Sequence, residues 1–366
     1  MSEIASARPY RAGDEEKIVD LLQRVFEPWP KFDLKHSSLD HWRWKYLDNP
    51  PRKNVIAVTE SGDRIVGSHH GVYLRVKIGD MSVLTQQGTD LAVDKEFRGM
   101  GLYSKMQVVK DHLALEMGAT LGYSLSNNPI VVGKLQERNQ SFPSPAQYMV
   151  KIRDIELHLK NSEYPDDVKK KYGYLGISGL NSMRNRLKPR RRTGHGLQII
   201  EKELFDDGID DFWESVSKDY NFIIERDRDY LNWRYCDERG GDYRILQAIE
   251  AEGVVGYIIL RVNVLNKEYP WGYIVDLLTL PGRLEVADAL IRRALELFED
   301  GGVNIVQALV INGHPYKGLL EENGFINGMV NCYLSYRVIK PEEEIKKFKS
   351  SSPERLHFMF GDLDWI

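Results

Sequence analysis

At 366 residues the chain is long for one hydrophobic core and suits two domains. Its 42% hydrophobic and 28% charged residues are typical of a globular protein, and a formal net charge of −4 excludes a strong general attraction to nucleic acid. No apolar run reaches membrane-spanning length, and the N-terminus lacks a signal-peptide pattern. We therefore expect a cytoplasmic protein without a membrane partner.

The N-terminal segment predicts a strand, two helices and an antiparallel sheet. Residues 4–12 have the pattern of a strand, and Asp14 precedes an amphipathic helix that it is expected to cap. A second helix, which carries Trp42 and Tyr46, ends before the Asn-Pro-Pro segment at 49–51. The following segments, 55–59, 64–76 and 82–93, alternate in the manner of successive antiparallel strands.

A glycine-containing turn, Arg98-Gly99-Met100-Gly101, joins the last of these strands to a helix with apolar residues at helical spacing. Glycines let the backbone approach a ligand closely, and the first-turn amides of a helix have no helical partner. Such amides attract phosphate, and the helix dipole adds to this attraction. A plain strand-to-helix turn without a ligand is the alternative.

The order of a strand, an Arg-x-x-Gly-x-x turn, a helix, a second strand at 120–126 and then Asn128 resembles the GNAT superfamily of acyl-CoA-dependent N-acyltransferases. The resemblance covers about residues 1–150 and implies an α/β (α+β) fold with a mixed sheet and acetyl-CoA as co-substrate. It departs from the family at the sixth turn position, where Tyr103 replaces a usual Gly or Ala. The resemblance assigns cofactor binding to Leu91, Ala92, Val93, Arg98, Gly99, Met100, Gly101, Leu102, Tyr103, Ser104 and Asn128.

The catalytic groups depart from the family pattern, because Gln87 stands where histone-type members of the family have a Glu base. Asp90 is the nearest carboxylate, but strand alternation predicts that it faces away from Gln87. His69 and His70 are adjacent on a strand, so one of them can face the cleft and accept a proton, while a core or surface histidine is the alternative.

Many members of the family have an Asn followed by a Leu-Tyr pair, and that Tyr is the general acid toward the CoA thiolate. This chain instead has Gln136 after Leu135. Tyr123 and Tyr103 are the substitutes within plausible reach. The candidate catalytic residues are Tyr123, Asp90 and His70.

The second half of the chain repeats the first in outline, so we expect two tandem GNAT-like domains. The segment Leu39-Asp40-His41-Trp42-Arg43-Trp44 is echoed by Leu231-Asn232-Trp233-Arg234-Tyr235. Asn312 with Leu319 to Phe325 resembles the family's Asn...Leu-x-x-x-Gly-Phe segment. After the strand at 273–280, however, the turn contains Pro281, which has no amide, and Glu285, which is negative. We expect the second domain to have lost cofactor binding and to act structurally or to line the acceptor pocket.

The predicted divisions are a first domain at 1–155, closed by a strand at 148–155, a linker at 156–196, a second domain at 197–340 and a docked tail at 341–366. The basic run 184–192 is interpreted as solvated linker, with contact to RNA, anionic lipid or the CoA 3′-phosphate as alternatives. In some tandem members a C-terminal carboxylate reaches the first active site. By that resemblance Asp362, Asp364 or the terminal carboxylate can supply the base, and a simply packed tail is the alternative.

Cys236 and Cys332 lie far apart and lack the spacing of a zinc site, so no metal is expected. We interpret both as buried small residues, with a single disulfide as the alternative. The sequence thus predicts an N-acetyltransferase that moves acetyl from acetyl-CoA directly to a small-molecule amine, with no nucleic-acid partner. Transfer from another donor, such as aminoacyl-tRNA or a longer acyl-CoA, and a non-catalytic CoA-binding or scaffold protein are the alternatives.

Overall fold

Each half of the chain contains antiparallel strands, then a long helix, then further strands. The computed structural model describes residues 6–126, 133, 141–161, 196–340 and 343–363. The first half has β1 (Arg8–Pro9), α1 (Glu15–Phe26), α2 (Ser38–Tyr46), β2 (Asn54–Ser61), β3 (Arg64–Ile78), β4 (Met81–Val93), α3 (Leu102–Glu116), β5 (Leu121–Ser126), β6 (Ala146–Ile152) and α4 (Ile155–Lys160). The second half has β7 (Gln198–Lys202), α5 (Gly208–Ser217), β8 (Phe222–Ile224), α6 (Arg228–Tyr235), β9 (Arg244–Glu250), β10 (Gly253–Asn263), β11 (Trp271–Thr279), α7 (Leu284–Asp300), β12 (Ile305–Ile311), α8 (Pro315–Glu322), β13 (Ile326–Val338) and α9 (Glu343–Lys349).

The N-terminal helices form where the apolar pattern predicts them. In α1 the residues Ile18, Leu21 and Leu22 are buried on one face. Asp14 stands at the N-cap position but makes no capping bond, because its carboxylate instead accepts from Arg8 and from the amide of Arg11. The prediction of a capping contact by Asp14 was therefore wrong.

All thirteen strands of the described ranges join one sheet, and its mixed character agrees with the expectation from sequence. Its order is β1-β2-β3-β4-β5-β13-β6-β12-β11-β10-β9-β7, and β8 pairs with β3. Parallel pairing occurs between β4 and β5 and between β11 and β12, which occupy matching positions in the two halves. The fold is thus a mixed α/β structure whose two halves have a similar order of elements.

The strand that was expected to close the first sheet lies elsewhere. β6 pairs along its whole length with β12 of the second half and also with the start of β13. The later part of β13, Tyr333 to Val338, pairs with β5 of the first half. The prediction that 148–155 closes the first sheet was therefore wrong, because the 13-residue β13, with a register shift after Asn327, reaches both halves.

Two tryptophans join the halves in a reciprocal contact. The rings of Trp44 in α2 and Trp233 in α6 stack with their centroids 4.8 Å apart. The Trp44 indole donates to the Trp233 carbonyl at 2.9 Å, and the Trp233 indole donates to the Trp44 carbonyl at 3.2 Å. Two similar helices related by a local twofold axis would make such a reciprocal pair of hydrogen bonds.

Three further features bear on the expectations from sequence. Cys236 and Cys332 are not bonded to each other; Cys332 is buried, and Cys236 is partly buried. No helix in the described part of the chain is long and apolar enough to span a bilayer. Within the same residues, no group of three or more His, Cys, Asp or Glu side chains is placed to hold a metal ion.

Candidate functional site

Strand β4 carries a bulge at Asp90. Ala92 faces Ser68 of β3 and Thr89 faces His70, so Asp90 and Leu91 together oppose the single residue His69. Asp90 has a φ of +41°, which is rare for a residue other than glycine. An extra residue shifts the alternation of side chains by one position.

The bulge overturns one expectation from sequence. Gln87 lines a pocket beside Lys45 of α2, and the Asp90 carboxylate accepts from that same lysine at 2.7 Å. The two side chains therefore lie on the same face of the sheet, although strict alternation predicted opposite faces. Alternation fails here because it assumes a strand without an inserted residue.

Strands β4 and β5 diverge beyond Gln87. Their parallel pairing runs only from Thr85 to Gln87, opposite Leu121 to Tyr123, although β4 continues to Val93 and β5 to Ser126. We call this point of divergence the fork. Among the described residues, no strand pairs with the β5-facing edge of β4 along Leu91 to Val93, so the backbone groups of that edge are candidates for pairing with a ligand.

The turn after β4 has the geometry of an anion site. Gly99 and Gly101 have φ values of +81° and +73°, and a Cβ built on either would meet no atom within 4 Å. No side chain caps the N-terminus of α3, so its first-turn amides face outward beside an exposed turn. The Arg98 side chain donates to the Val93 carbonyl at 3.1 Å and so ties the turn to the end of β4.

The other cofactor residues predicted from sequence fall around this turn. Ala92 and Leu102 are buried, and Leu91, Met100 and Tyr103 are exposed, each by about two-fifths to one-half of its surface. Ser104 is exposed in the first turn of α3. Asn128 lies outside the described residues, as do Leu135, Gln136, the basic run 184–192 and Asp364.

Asp90 is a buried anchor for α2 and its neighbours. Its carboxylate accepts from the Trp29 indole at 2.8 Å, from the Lys45 ammonium at 2.7 Å and from the Tyr46 hydroxyl. Burial alone would raise the pKa of Asp90, but the nearby Lys45 charge and these hydrogen bonds outweigh it and lower the pKa to about 2. A carboxylate so fully engaged has little capacity to accept a proton from an amine.

His70 and His69 face opposite sides of β3, as predicted. His70 accepts from the Trp42 indole at 3.2 Å and donates to the Asp90 carbonyl at 3.0 Å, so both ring nitrogens are engaged. Burial lowers the pKa of His70 to about 4, which keeps the ring neutral. On the other face, His69 lies 3.1 Å from the ammonium nitrogen of Lys110 in α3.

Tyr123 lies at the base of the fork, in the last ladder pair of β5 with β4. It is buried, and its ring meets Phe222 and Phe358 edge to face at 6.0 and 6.3 Å. The structure thus places Tyr123 next to Gln87 in the ladder and within an aromatic core. Its assignment as an acid stays a prediction.

A small cavity of about 30 Å³ lies between the two halves on the α2 face, and it opens into a cleft of about 400 Å³ that includes solvent space. Its polar lining includes Gln87, Lys45 and Arg234. Its apolar walls are Phe32, Trp44, Val72, Leu74, Tyr230 and Trp233. Because Gln87 is also the last β4 residue paired at the fork, the pocket and the fork meet at this residue.

The C-terminal segment forms one wall of this pocket through Gly361, Asp362 and Leu363. The Gln87 amide donates to the Asp362 carbonyl at 2.6 Å. Arg234 donates to the carbonyls of Gly361 and Leu363 at 3.1 and 2.9 Å. These bonds hold residues 361–363 against both halves.

Asp362 itself belongs to a buried charge cluster that sequence reasoning missed. Arg226 bridges the carboxylates of Asp276 and Asp362 at 3.0 and 2.5 Å, and none of the three side chains is exposed. Burial raises the pKa of Asp362 despite this ion pair. Tyr46 and Tyr235 each donate to a buried aspartate, Asp90 and Asp276 respectively. The one sequence signal for the second aspartate was the similarity of Trp44-Lys45-Tyr46 to Trp233-Arg234-Tyr235.

The turn at the start of α7 differs from that of α3. Gly282 also has a positive φ of +75°, but Arg283 stands at the N-cap and pairs with both Glu250 and Glu285. Two carboxylates therefore lie beside this helix start, where a diphosphate would be repelled. This agrees with the expectation that the second half has lost cofactor binding, which stays a prediction.

Comparison with known proteins gives one family match and several similar folds. Residues 6–125 match the family model described as "Acetyltransferase (GNAT) domain". A search of curated proteins finds no match.

Among solved structures, a conserved protein of unknown function from Enterococcus faecalis V583, described as a probable N-acyltransferase, has a TM-score of 0.62 and 12% identity, with 93% of this chain and 73% of that chain covered. Saccharomyces cerevisiae N-myristoyltransferase with bound myristoyl-CoA and inhibitors has a TM-score of 0.60 and 12% identity, with 98% of this chain and 86% of that chain covered. At such identity the likeness shows the fold.

Proposed function

We propose that this chain, whose residues 6–125 match the GNAT acetyltransferase domain, transfers an acetyl group from acetyl-CoA to the amine of a small molecule. The observation that carries the proposal is the uncapped start of α3 behind the Gly99 and Gly101 turn, directly beside the fork. Amides at this turn bind the diphosphate, and the open edge of Leu91 to Val93 pairs with the pantetheine arm. The thioester then lies at the fork.

The pocket between the halves is the proposed acceptor site. It meets the fork at Gln87, so an amine bound there reaches the thioester from the face opposite α3. Phe32, Trp44, Tyr230 and Trp233 line it together with the aliphatic Val72, Leu74 and Leu363, which favours an amine carried on an apolar body. A small, largely apolar space of this kind does not suit an extended polycation.

The proposed reaction is direct attack without a covalent enzyme intermediate. The neutral amine nitrogen attacks the thioester carbonyl, a C–N bond forms, and the C–S bond breaks with its electron pair on sulfur. Positioning of the two substrates on either side of the fork supplies much of the rate enhancement. The anchored carboxylates of Asp90 and Asp362 shape the site, and we propose that water removes the amine proton.

A longer acyl-CoA is the second candidate donor, because the yeast neighbour with bound myristoyl-CoA shares the fold over 98% of this chain. The side chains at the fork on the α3 face argue against it. Gln86, Lys110 and Ser124 are polar, and a long alkyl chain buried among them would leave polar groups without water. We therefore favour the short acyl group.

The test is a transfer assay with the full chain. Acetyl-, octanoyl- and myristoyl-CoA are each offered with tryptamine, glucosamine, lysine and spermidine, and the products are identified by mass spectrometry. We expect acetylated tryptamine as the main product and little acetylated spermidine. Octanoyl or myristoyl transfer exceeding acetyl transfer would contradict the donor, and binding of acetyl-CoA without any product would indicate a non-catalytic CoA-binding protein.

A further inference from the structure

The inner face of α3 carries one buried lysine. Lys110 is only 3% exposed, and burial of a lysine is costly because its ammonium loses hydration. The buried face of the corresponding helix α7 is mostly aliphatic, and its one buried charged residue, Asp288, is paired with Arg292. The fold therefore does not need a lysine at this kind of position, and a function for the amine is the better explanation.

The Lys110 amine faces the fork. A Cβ built on Gly88 would lie 3.5 Å from Nζ of Lys110 and 3.9 Å from both the Tyr123 carbonyl oxygen and the Ser124 Cβ. Gly88 follows Gln87, the last residue of β4 that pairs with β5. The amine thus lies over the point at which the two strands separate, on the face of α3.

Nearby polar atoms also lack partners. Within the described residues, Nδ1 of His69 and Oε1 of Gln86 are buried without a hydrogen bond. The His69 ring lies 5.7 Å from the ring of Tyr103, which is half exposed in the first turn of α3. A polar seam therefore runs from the glycine turn past His69 to Lys110. Unsatisfied buried groups are costly, so a polar ligand arm along this seam would satisfy them.

The charges around Lys110 leave its amine able to exchange a proton near neutrality. Burial lowers the pKa of Lys110 to about 7; Asp111 raises it, and Arg337 lowers it. Asp111 and Arg337 pair with each other at 2.5 Å, so their effects partly cancel. His69, with a pKa lowered to about 2, and His70, lowered to about 4 by burial, contribute no charge at neutral pH.

We propose that Lys110 is the general acid that protonates the CoA sulfur as it leaves, with His69 positioning its amine. The inference rests on the proposed function. When the C–S bond breaks, the electron pair on sulfur takes a proton from the ammonium of Lys110, which leaves CoA thiol and a neutral amine. Lys110 then regains a proton from solvent, and the proton of the attacking amine also goes to solvent.

The test uses CoA itself and needs no acceptor. The full-length protein is saturated with CoA at about pH 7.5, below the ordinary thiol pKa, and the thiolate is measured by its ultraviolet absorbance. Desulfo-CoA provides the background of protein tyrosines and cysteines. An ammonium beside the sulfur stabilises the thiolate, so the wild type is expected to show at least about a threefold larger thiolate fraction than Lys110→Met.

Lys151→Met is the matched control. This substitution also removes an ammonium, which donates to the Asn323 carbonyl at 2.7 Å. Lys151 lies in β6, however, and not at the fork. We expect its thiolate fraction to equal that of the wild type. An equal thiolate fraction in wild type and Lys110→Met, at equal CoA occupancy, would overturn the inference.

A measurement on the wild type covers the case that Lys110→Met does not fold. The lysine Cε signals are titrated by NMR with CoA and with desulfo-CoA. We expect CoA alone to raise the pKa of Lys110, because the nearby thiolate stabilises the ammonium. The same pKa with both ligands would overturn the inference, whereas absence of binding by either ligand would overturn the proposed function and the inference with it.

Discussion

Asp90 and Asp276 hold matching positions, each three residues before the end of its strand, β4 or β11. Each accepts from a tyrosine of the preceding helix and from a buried cation, Lys45 or Arg226. Two carboxylates with the same surroundings in a repeat point to a shared structural role. We therefore interpret Asp90 as an anchor of the bulged strand.

We predict that Asp90→Asn destabilises the protein by about 3 kcal/mol at pH 7, because it leaves the Lys45 ammonium buried without its counter-charge. Urea unfolding of both proteins measures the difference. Loss of a general base would change how activity depends on pH. Because we interpret Asp90 as an anchor, the folded variant should keep the pH profile of wild-type activity. A changed profile with unchanged stability would contradict the anchoring role.

The difference in stability between the wild type and Asp90→Asn should depend on pH. The pKa of Asp90 falls from 3.8 to about 2 on folding. Its carboxylate therefore contributes its full stabilisation above pH 3.8, and this stabilisation is lost as the pH falls through about 2. The stability difference between wild type and Asp90→Asn should therefore shrink in acid. A difference that stays constant from pH 7 to about pH 2 would show that Asp90 is not held as a carboxylate.

At the scale of elements, the segment 361–363 acts as a strap across the pocket. Arg234 of α6 donates hydrogen bonds to two carbonyls of this segment, and Gln87 of β4 donates to the carbonyl between them. Bonds from a charged donor to a carbonyl are among the stronger hydrogen bonds of a fold. The strap thus ties the pocket wall to both halves.

We predict that Arg234→Met frees this strap, and limited proteolysis followed by mass spectrometry should show earlier cleavage near the C-terminus. Arg244→Met is the control, because it removes an exposed pair with Glu201, and such pairs contribute little to stability. Transfer activity should fall in Arg234→Met as the pocket wall loosens. Identical cleavage kinetics in both variants would contradict the role of Arg234.

At the scale of the whole molecule, the two halves share their strands. β6 lies among strands of the second half, and β13 pairs with both β5 and β6. The largest core likewise combines residues of α1 with residues of the C-terminal segment, such as Ile18 and Phe360. Unfolding of one half would therefore expose edges and core of the other.

We predict one cooperative unfolding transition for the full chain. Tryptophan fluorescence and far-ultraviolet circular dichroism should give coincident curves in urea. Two separate transitions would contradict the shared sheet. The segment 1–155 alone should aggregate, because β5 loses its partner β13 and becomes an exposed edge.

The sequence predicted the parts of this fold that depend on local pattern. The glycine turn, the apolar face of α1 and the opposite directions of His69 and His70 follow from periodicity and from the needs of a helix start. The bulge at Asp90, the exchange of β6 and β13, and the Arg226 cluster could not be predicted. They depend on contacts between residues far apart in the chain, which no local pattern encodes.

The most direct test of the central claim is calorimetric titration with acetyl-CoA of wild type, Gly101→Asp and Gly282→Asp. The two glycines have nearly equal φ values, +73° and +75°, and open space around them, so both variants carry the same backbone strain. We expect one site per chain in the wild type and in Gly282→Asp, and at least about tenfold weaker binding in Gly101→Asp, where a carboxylate opposes the diphosphate. No binding by the wild type, or unchanged affinity in Gly101→Asp, would contradict it.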